Sequence, residues 1–329
     1  MRPTFHKSLL LRIKGLIKRL NLSSNYLTAS ICLIGCMTSS IISDSILRHL
    51  ASSGLKVTFI LLFTQVMSIL ISLLLIRLFR PHFSFKPKYW GLMLFRSVLT
   101  SIAFISSKFA ITIVQIPLYL STFSALIIPA VNMLFAVILL GEKANLYGIL
   151  MGVSIVLPLL GYFNMYSYSI LLLCMSHTIF AFLDCSLAYM SRERKPESGL
   201  LNIFPHRGRE EILLINLFEG IIVMIMYFIL SIKEFSLHSI NTFKISQLPF
   251  LLLMGCTSFV AMPLLFMAYS LEKVSSIQPV KSIEPILAGS FADRKNLPKD
   301  IIGGIFFFFC ASLLMIYKET KINLRKKDL

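Results

Sequence analysis

Residues 57–76 read VTFILLFTQVMSILISLLLI, a run of 20 residues without a charge, bounded by Lys56 and Arg77. At 1.5 Å per residue, a helix of this length spans about 30 Å, the thickness of the hydrocarbon core of a bilayer. Lipid offers the backbone no hydrogen-bond partners, so such a run crosses as an α-helix.

Similar runs recur on either side of it. The chain has 329 residues, is 56% hydrophobic and has a mean hydropathy of +0.80. Ten spans are predicted, at 27–47, 57–76, 91–110, 118–140, 145–163, 167–190, 211–232, 248–269, 274–292 and 300–317. The predicted fold class is an all-α integral membrane protein of about ten transmembrane helices. The ninth span is barely long enough, since it stops at Asp293, Arg294 and Lys295.

Loop charge orients the bundle, because Lys and Arg are retained on the cytoplasmic side. With the N-terminus inside, the outer loops carry Arg48, Lys56, Lys233, Lys244, Arg294, Lys295 and Lys299. Arg96, Lys108 and Lys281 fall in spans, and all the other Lys and Arg of the 32 lie inside. This bias predicts that both termini are cytoplasmic. The net charge of +17 thus follows topology, and the partner it implies is the lipid bilayer, not nucleic acid. In residues 1–26, Leu9, Leu10, Ile13, Leu16, Ile17 and Leu20 form a stripe opposite Arg12, Lys14, Lys18 and Arg19. That pattern fits an amphipathic helix on the inner membrane surface, with a transit peptide as the rival reading. Residues 318–329 form a basic tail.

All six cysteines fall inside spans, and Cys32 and Cys36, one turn apart, have no histidine in their span. Small packing residues are therefore expected rather than disulfides or a metal site. The histidines are scattered, and no nucleophile elbow or phosphate loop occurs. The chain is read as a non-enzyme that needs no cofactor.

Five charges interrupt the apolar runs: Asp44, Arg96, Asp184, Lys281 and Glu284. Each costs at least about 2.5 kcal/mol at the centre of a membrane helix, so a chain that keeps them needs a polar interior. They are the candidate substrate-binding residues. Structural readings compete with this. Asp44 and Asp184 are equally suited to holding an interface, and Asp44 to facing the outer loop. Arg96 and Lys108, near span ends, are placed to snorkel to head groups. Lys281 and Glu284, at i and i+3, are placed to pair with each other in an empty site. Glu284 is the strongest candidate, because Pro285 frees a backbone carbonyl one turn earlier and opens the helix to a cavity. The role of Glu219 in span seven is left open. An aspartate dyad of Asp44 and Asp184 is the enzyme alternative.

Ten spans divide into five plus five, as residues 27–163 and 167–317. Asp44 and Leu47 align with Asp184 and Leu187, Thr100-Ser101 with Thr257-Ser258, Phe109 with Phe266, and Pro129 with Pro285. An odd number of spans per unit makes this an inverted repeat, an arrangement that places substrate at the repeat interface.

Ile127-Ile128-Pro129, Leu139-Leu140-Gly141-Glu142, Gly148 and Gly152 together resemble the end of an EamA-type domain of the drug/metabolite transporter superfamily. Within it, Asp44, Leu94-Phe95-Arg96, Leu183-Asp184 and Pro279-Val280-Lys281 with Glu284 look most like the S-adenosylmethionine-uptake carriers of obligate intracellular bacteria. Lys281 stands where that pattern has arginine, and the second repeat lacks a counterpart of Leu140-Gly141-Glu142. The resemblance implies a ten-helix carrier in the cell inner membrane that works by alternating access. Its expected cargo is S-adenosylmethionine, exchanged for S-adenosylhomocysteine, with amino-acid or other metabolite export as the alternative. A carrier that folds but no longer transports is a further alternative, motivated by the altered end of span nine. Gly148 and Gly152 suit close helix packing, with a homodimer as the lesser possibility.

Overall fold

Every apolar run that falls among the described residues is helical. The computed structural model describes residues 24–79, 86–112, 127–143, 171–192, 199–204, 208–231 and 243–284. The basic N-terminal stretch, span five with Gly148 and Gly152, Pro285 and the close of span nine, span ten, Cys310 and the basic tail lie outside them.

The helices are α1 (Ser24–Ser52), α2 (Val57–Phe79), α3 (Trp90–Thr112) and α4 (Ile127–Leu140). Then come α5 (Leu171–Ser191), α6 (Ile212–Ser231), α7 (Leu248–Leu271) and the single turn α8 (Val274–Ile277), which runs into a 3-10 helix at Gln278–Ile283. Six of these, α1, α2, α3, α5, α6 and α7, are long and apolar enough to cross a bilayer. Together they make this a helical membrane protein.

Two expectations change. α1 runs on to Ser52, so Arg48, expected in an outer loop, lies within the helix. The ninth apolar run does not begin as a continuous α-helix: one α-turn gives way to a 3-10 helix with Pro279 in its first turn. Proline fixes φ and donates no hydrogen bond, which favours the change of helix type at that residue.

Six hydroxyl groups in the spans are satisfied locally. Thr38, Ser45, Thr64, Ser72, Ser97 and Ser101 each donate to the carbonyl four residues earlier, at 2.8–2.9 Å. A serine or threonine can thus sit on a membrane helix without an unmet donor. A core of Leu33, Met37, Leu92, Leu187, Tyr189, Phe266 and Tyr269 ties α1, α3, α5 and α7 together. A second core of Leu47, Leu50, Ile60, Val223, Tyr227 and Leu251 joins α1, α2, α6 and α7.

α7 lies close against α2 because residue 255 is glycine: a Cβ there would stand 2.6 Å from Met67 Cβ. Met67 Cβ is fixed to its backbone and cannot move aside alone. Gly255→Ala is expected to cost about 1–3 kcal/mol through this overlap, read as a lower midpoint in thermal unfolding. An unchanged midpoint would show that the two helices separate freely.

The carboxyl end of α4 anchors the ninth segment. Gly141 has φ +66° and turns the chain so that Glu142 N–H reaches back to Ala136 O at 3.0 Å. The Glu142 carboxylate accepts the amides of Val274 (3.3 Å) and Ser275 (2.9 Å), the Ser275 hydroxyl (2.5 Å) and Arg192 Nη2 (2.5 Å). An anion on the first free amides of a helix both satisfies them and opposes the helix dipole. The Leu-Gly-Glu sequence therefore fixes where the segment bearing Lys281 starts.

Candidate functional site

A cavity of about 330 Å³ lies among these helices, a volume at the small end of the range for metabolite sites. All five charges singled out from the sequence line it: Asp44 from α1, Arg96 from α3, Asp184 from α5, and Lys281 and Glu284 from the ninth segment. Glu219 from α6 lines it too. Among the described residues two cations thus face four carboxylates, and their balance is net negative.

The charges are organised as two buried pairs. Arg96 is 1% exposed, so it does not snorkel to head groups. It sits in the second turn of α3, and its Nε donates to Glu219 Oε1 at 2.5 Å. Its Nη1 donates to Ser186 Oγ at 2.6 Å and to the carbonyl of Leu183. One guanidinium therefore clamps α3, α5 and α6, using the fork that lysine lacks. Glu219, whose role the sequence left open, is the partner. Its only sequence signal was a charge in the strongly apolar run Ile212–Ser231.

Lys281 does not pair with Glu284. Its Nζ donates to Asp184 Oδ2 at 2.6 Å. The 3-10 turn presents the lysine toward α5, and the charge pair joins two segments 97 residues apart. Asp184 Oδ2 also accepts from Asn132 Nδ2 and from Tyr269 OH, each at 2.8 Å. Gln278 Nε2 in turn donates to Tyr269 OH at 3.1 Å. Three donors on one carboxylate oxygen hold the anion firmly and allow a buried pair to persist. Neither Asn132 nor Tyr269 stood out in the sequence, where one is a lone amide in an apolar helix and the other resembles an interfacial aromatic.

Asp44 faces the cavity rather than only the outer loop. It interacts electrostatically with Arg48, one turn along α1. Glu284, half-buried, lies at the end of the 3-10 segment. Lys108 belongs to α3, and its side chain lies outside the described ones.

The rest of the lining is mixed. Ser43 and Ser258 share a hydrogen bond of 2.9 Å between α1 and α7, beside Ser40, Thr64, Gln65 and His177. Phe104 and Phe180 also line the cavity and meet edge to face, with ring centroids 5.2 Å apart. Trp90 is 56% exposed and packs edge-on against Phe218. Cys32, Cys36, Cys174, Cys185 and Cys256 are free thiols.

Compared with known proteins, the chain matches no family model and no curated protein.

Proposed function

We propose that the chain is a secondary carrier of a small cationic or zwitterionic metabolite, with the cavity as its substrate site. The observation that carries this reading is the cavity within apolar, span-length helices, lined among the described residues by four carboxylates against two cations. Charge kept in a membrane interior marks a pathway more often than a scaffold. The Lys281–Asp184 pair neutralises the empty site, and a zwitterion can exchange partners with it: its carboxylate takes Lys281 while its cation takes a carboxylate. Phe104 and Phe180 add aromatic faces for a cation.

Helix packing supports ten spans in an inverted five-plus-five repeat. Counting α5, α6 and α7 as spans six to eight, span one packs on eight and span two on seven and eight. Span three packs on six, through Arg96 and through Ser176 bonding Ala103 O, and on seven. Adding or subtracting five from each member maps this set of pairs onto itself. Such symmetry is the expected result of a repeat whose halves face opposite ways, with substrate at their interface.

Within this class the resemblance of Asp44, Leu183-Asp184 and Pro279-Val280-Lys281 favours S-adenosylmethionine, taken up across the cell inner membrane in exchange for S-adenosylhomocysteine. The basic loops favour cytoplasmic termini. An export direction would use the same site. The aspartate-dyad alternative is disfavoured because Asp184 is bound by a lysine, an amide and a phenol.

The test is uptake of labelled S-adenosylmethionine into proteoliposomes preloaded with S-adenosylhomocysteine. Preloading is expected to stimulate uptake, and Glu284→Gln to reduce it about tenfold or more, since a hydrogen bond to a charged group contributes about 1.5–3 kcal/mol. Absence of uptake by folded protein would discard this cargo. Unaltered uptake by the variant would remove Glu284 from the pathway.

A further inference from the structure

The cavity has a second polar region, beside the Arg96–Glu219 pair. Asn216 and Glu219 lie one turn apart on α6, and Thr100 lies one turn beyond Arg96 on α3; all three line the cavity. Each is more than nine-tenths buried, at 6%, 4% and 6% exposure. Among the described residues, Asn216 Nδ2, Glu219 Oε2 and Thr100 Oγ1 have no hydrogen-bond partner. Buried polar atoms are nearly always paired, so three unmet ones lining one cavity, on either side of the Arg96–Glu219 bond, call for an explanation. Their chemistry is specific. The amide nitrogen can only donate, the carboxylate oxygen only accepts, and the hydroxyl does either. Arg96 already neutralises Glu219 through Oε1, so Oε2 remains a strong acceptor while this end of the cavity carries no net charge.

We propose that Asn216, Glu219 and Thr100 form a subsite for an uncharged edge that presents a donor beside an acceptor, such as an amino group next to a ring nitrogen or a primary carboxamide. Asn216 Nδ2 donates to the acceptor of that edge, Glu219 Oε2 takes its N–H, and Thr100 Oγ1 completes the set. Amide side chains read the amino-and-ring-nitrogen edge of adenine in the same complementary way. The inference rests on the carrier reading in that it makes the cargo two-ended, with a charged group at Asp184, Lys281 and Glu284 and a neutral hydrogen-bonding head at α6.

The test is thermal unfolding of the purified full-length protein with adenosine, with purine riboside, which lacks the amino group, and with nicotinamide, run beside the counterflow assay. Adenosine or nicotinamide is expected to raise the unfolding midpoint, and purine riboside to leave it unchanged. A shift with adenosine alone assigns a ring edge, and one with nicotinamide alone a carboxamide. Asn216→Leu should abolish the shift. Asn216→Asp, which keeps the shape and exchanges donor for acceptor, should abolish it as well and covers a folding failure of the first variant. Midpoints that respond to adenosine without any S-adenosylmethionine counterflow would retire the cargo and keep the subsite. No midpoint response to adenosine or nicotinamide, with or without counterflow, or a response as large with purine riboside or in Asn216→Asp, would overturn the subsite and leave resident water as the partner of these atoms.

Discussion

Arg96→Met is expected to cost about 3–5 kcal/mol of stability, because it strands the Glu219 carboxylate in the interior with no cation. Glu219 is 4% exposed, and the same change removes the donors on Ser186 Oγ and Leu183 O. Three helices lose their common fastener at once. Thermal unfolding of the purified protein, or its resistance to a denaturing detergent, reads the effect. Arg96→Lys should fall between the wild type and methionine, since it keeps the charge and loses the fork that reaches two helices. The double change Arg96→Met with Glu219→Leu should recover much of the loss, because no charge is then left buried alone. A stable Arg96→Met protein would mean that water reaches Glu219 and that this end of the cavity is not dry.

Lys281→Met should be destabilising by a similar amount, about 3–5 kcal/mol, because Asp184 would then keep its charge with only Asn132 and Tyr269 to meet it. Combining it with Asp184→Asn should restore stability. It should not restore counterflow, because the carboxylate of a zwitterion would have lost the cation that receives it. The double variant therefore separates holding the fold together from handling cargo. Full transport by a stable Asp184→Asn, Lys281→Met protein would show that the pair is a structural clip, and the substrate site would then have to lie elsewhere in the cavity.

The charges differ in how much of their role could be read from the chain. That all five belong to one polar interior followed from the cost of each in lipid, and all five line one cavity. Their pairing did not follow. Spacing put Lys281 beside Glu284, three residues away, whereas the 3-10 turn after Pro279 carries the lysine to Asp184, which reaches it only through the packing of α5. Arg96 looked like an end-of-helix cation because it lies near one end of the predicted span 91–110. Its surroundings are set by Glu219, 123 residues on. Tyr269 and Asn132 gave no signal, since neither carries a charge to mark it.

By itself the sequence determined the helical membrane class, the positions of the described spans to within a few residues, and which side chains needed shelter from lipid. Hydropathy is a local property that each segment expresses alone, and lipid enforces it segment by segment. Tertiary structure alone decided which acid meets which base and which polar atoms on α3 and α6 are left without partners. Those outcomes depend on contacts between residues about a hundred positions apart, where packing chooses among several partners that local spacing ranks as equal.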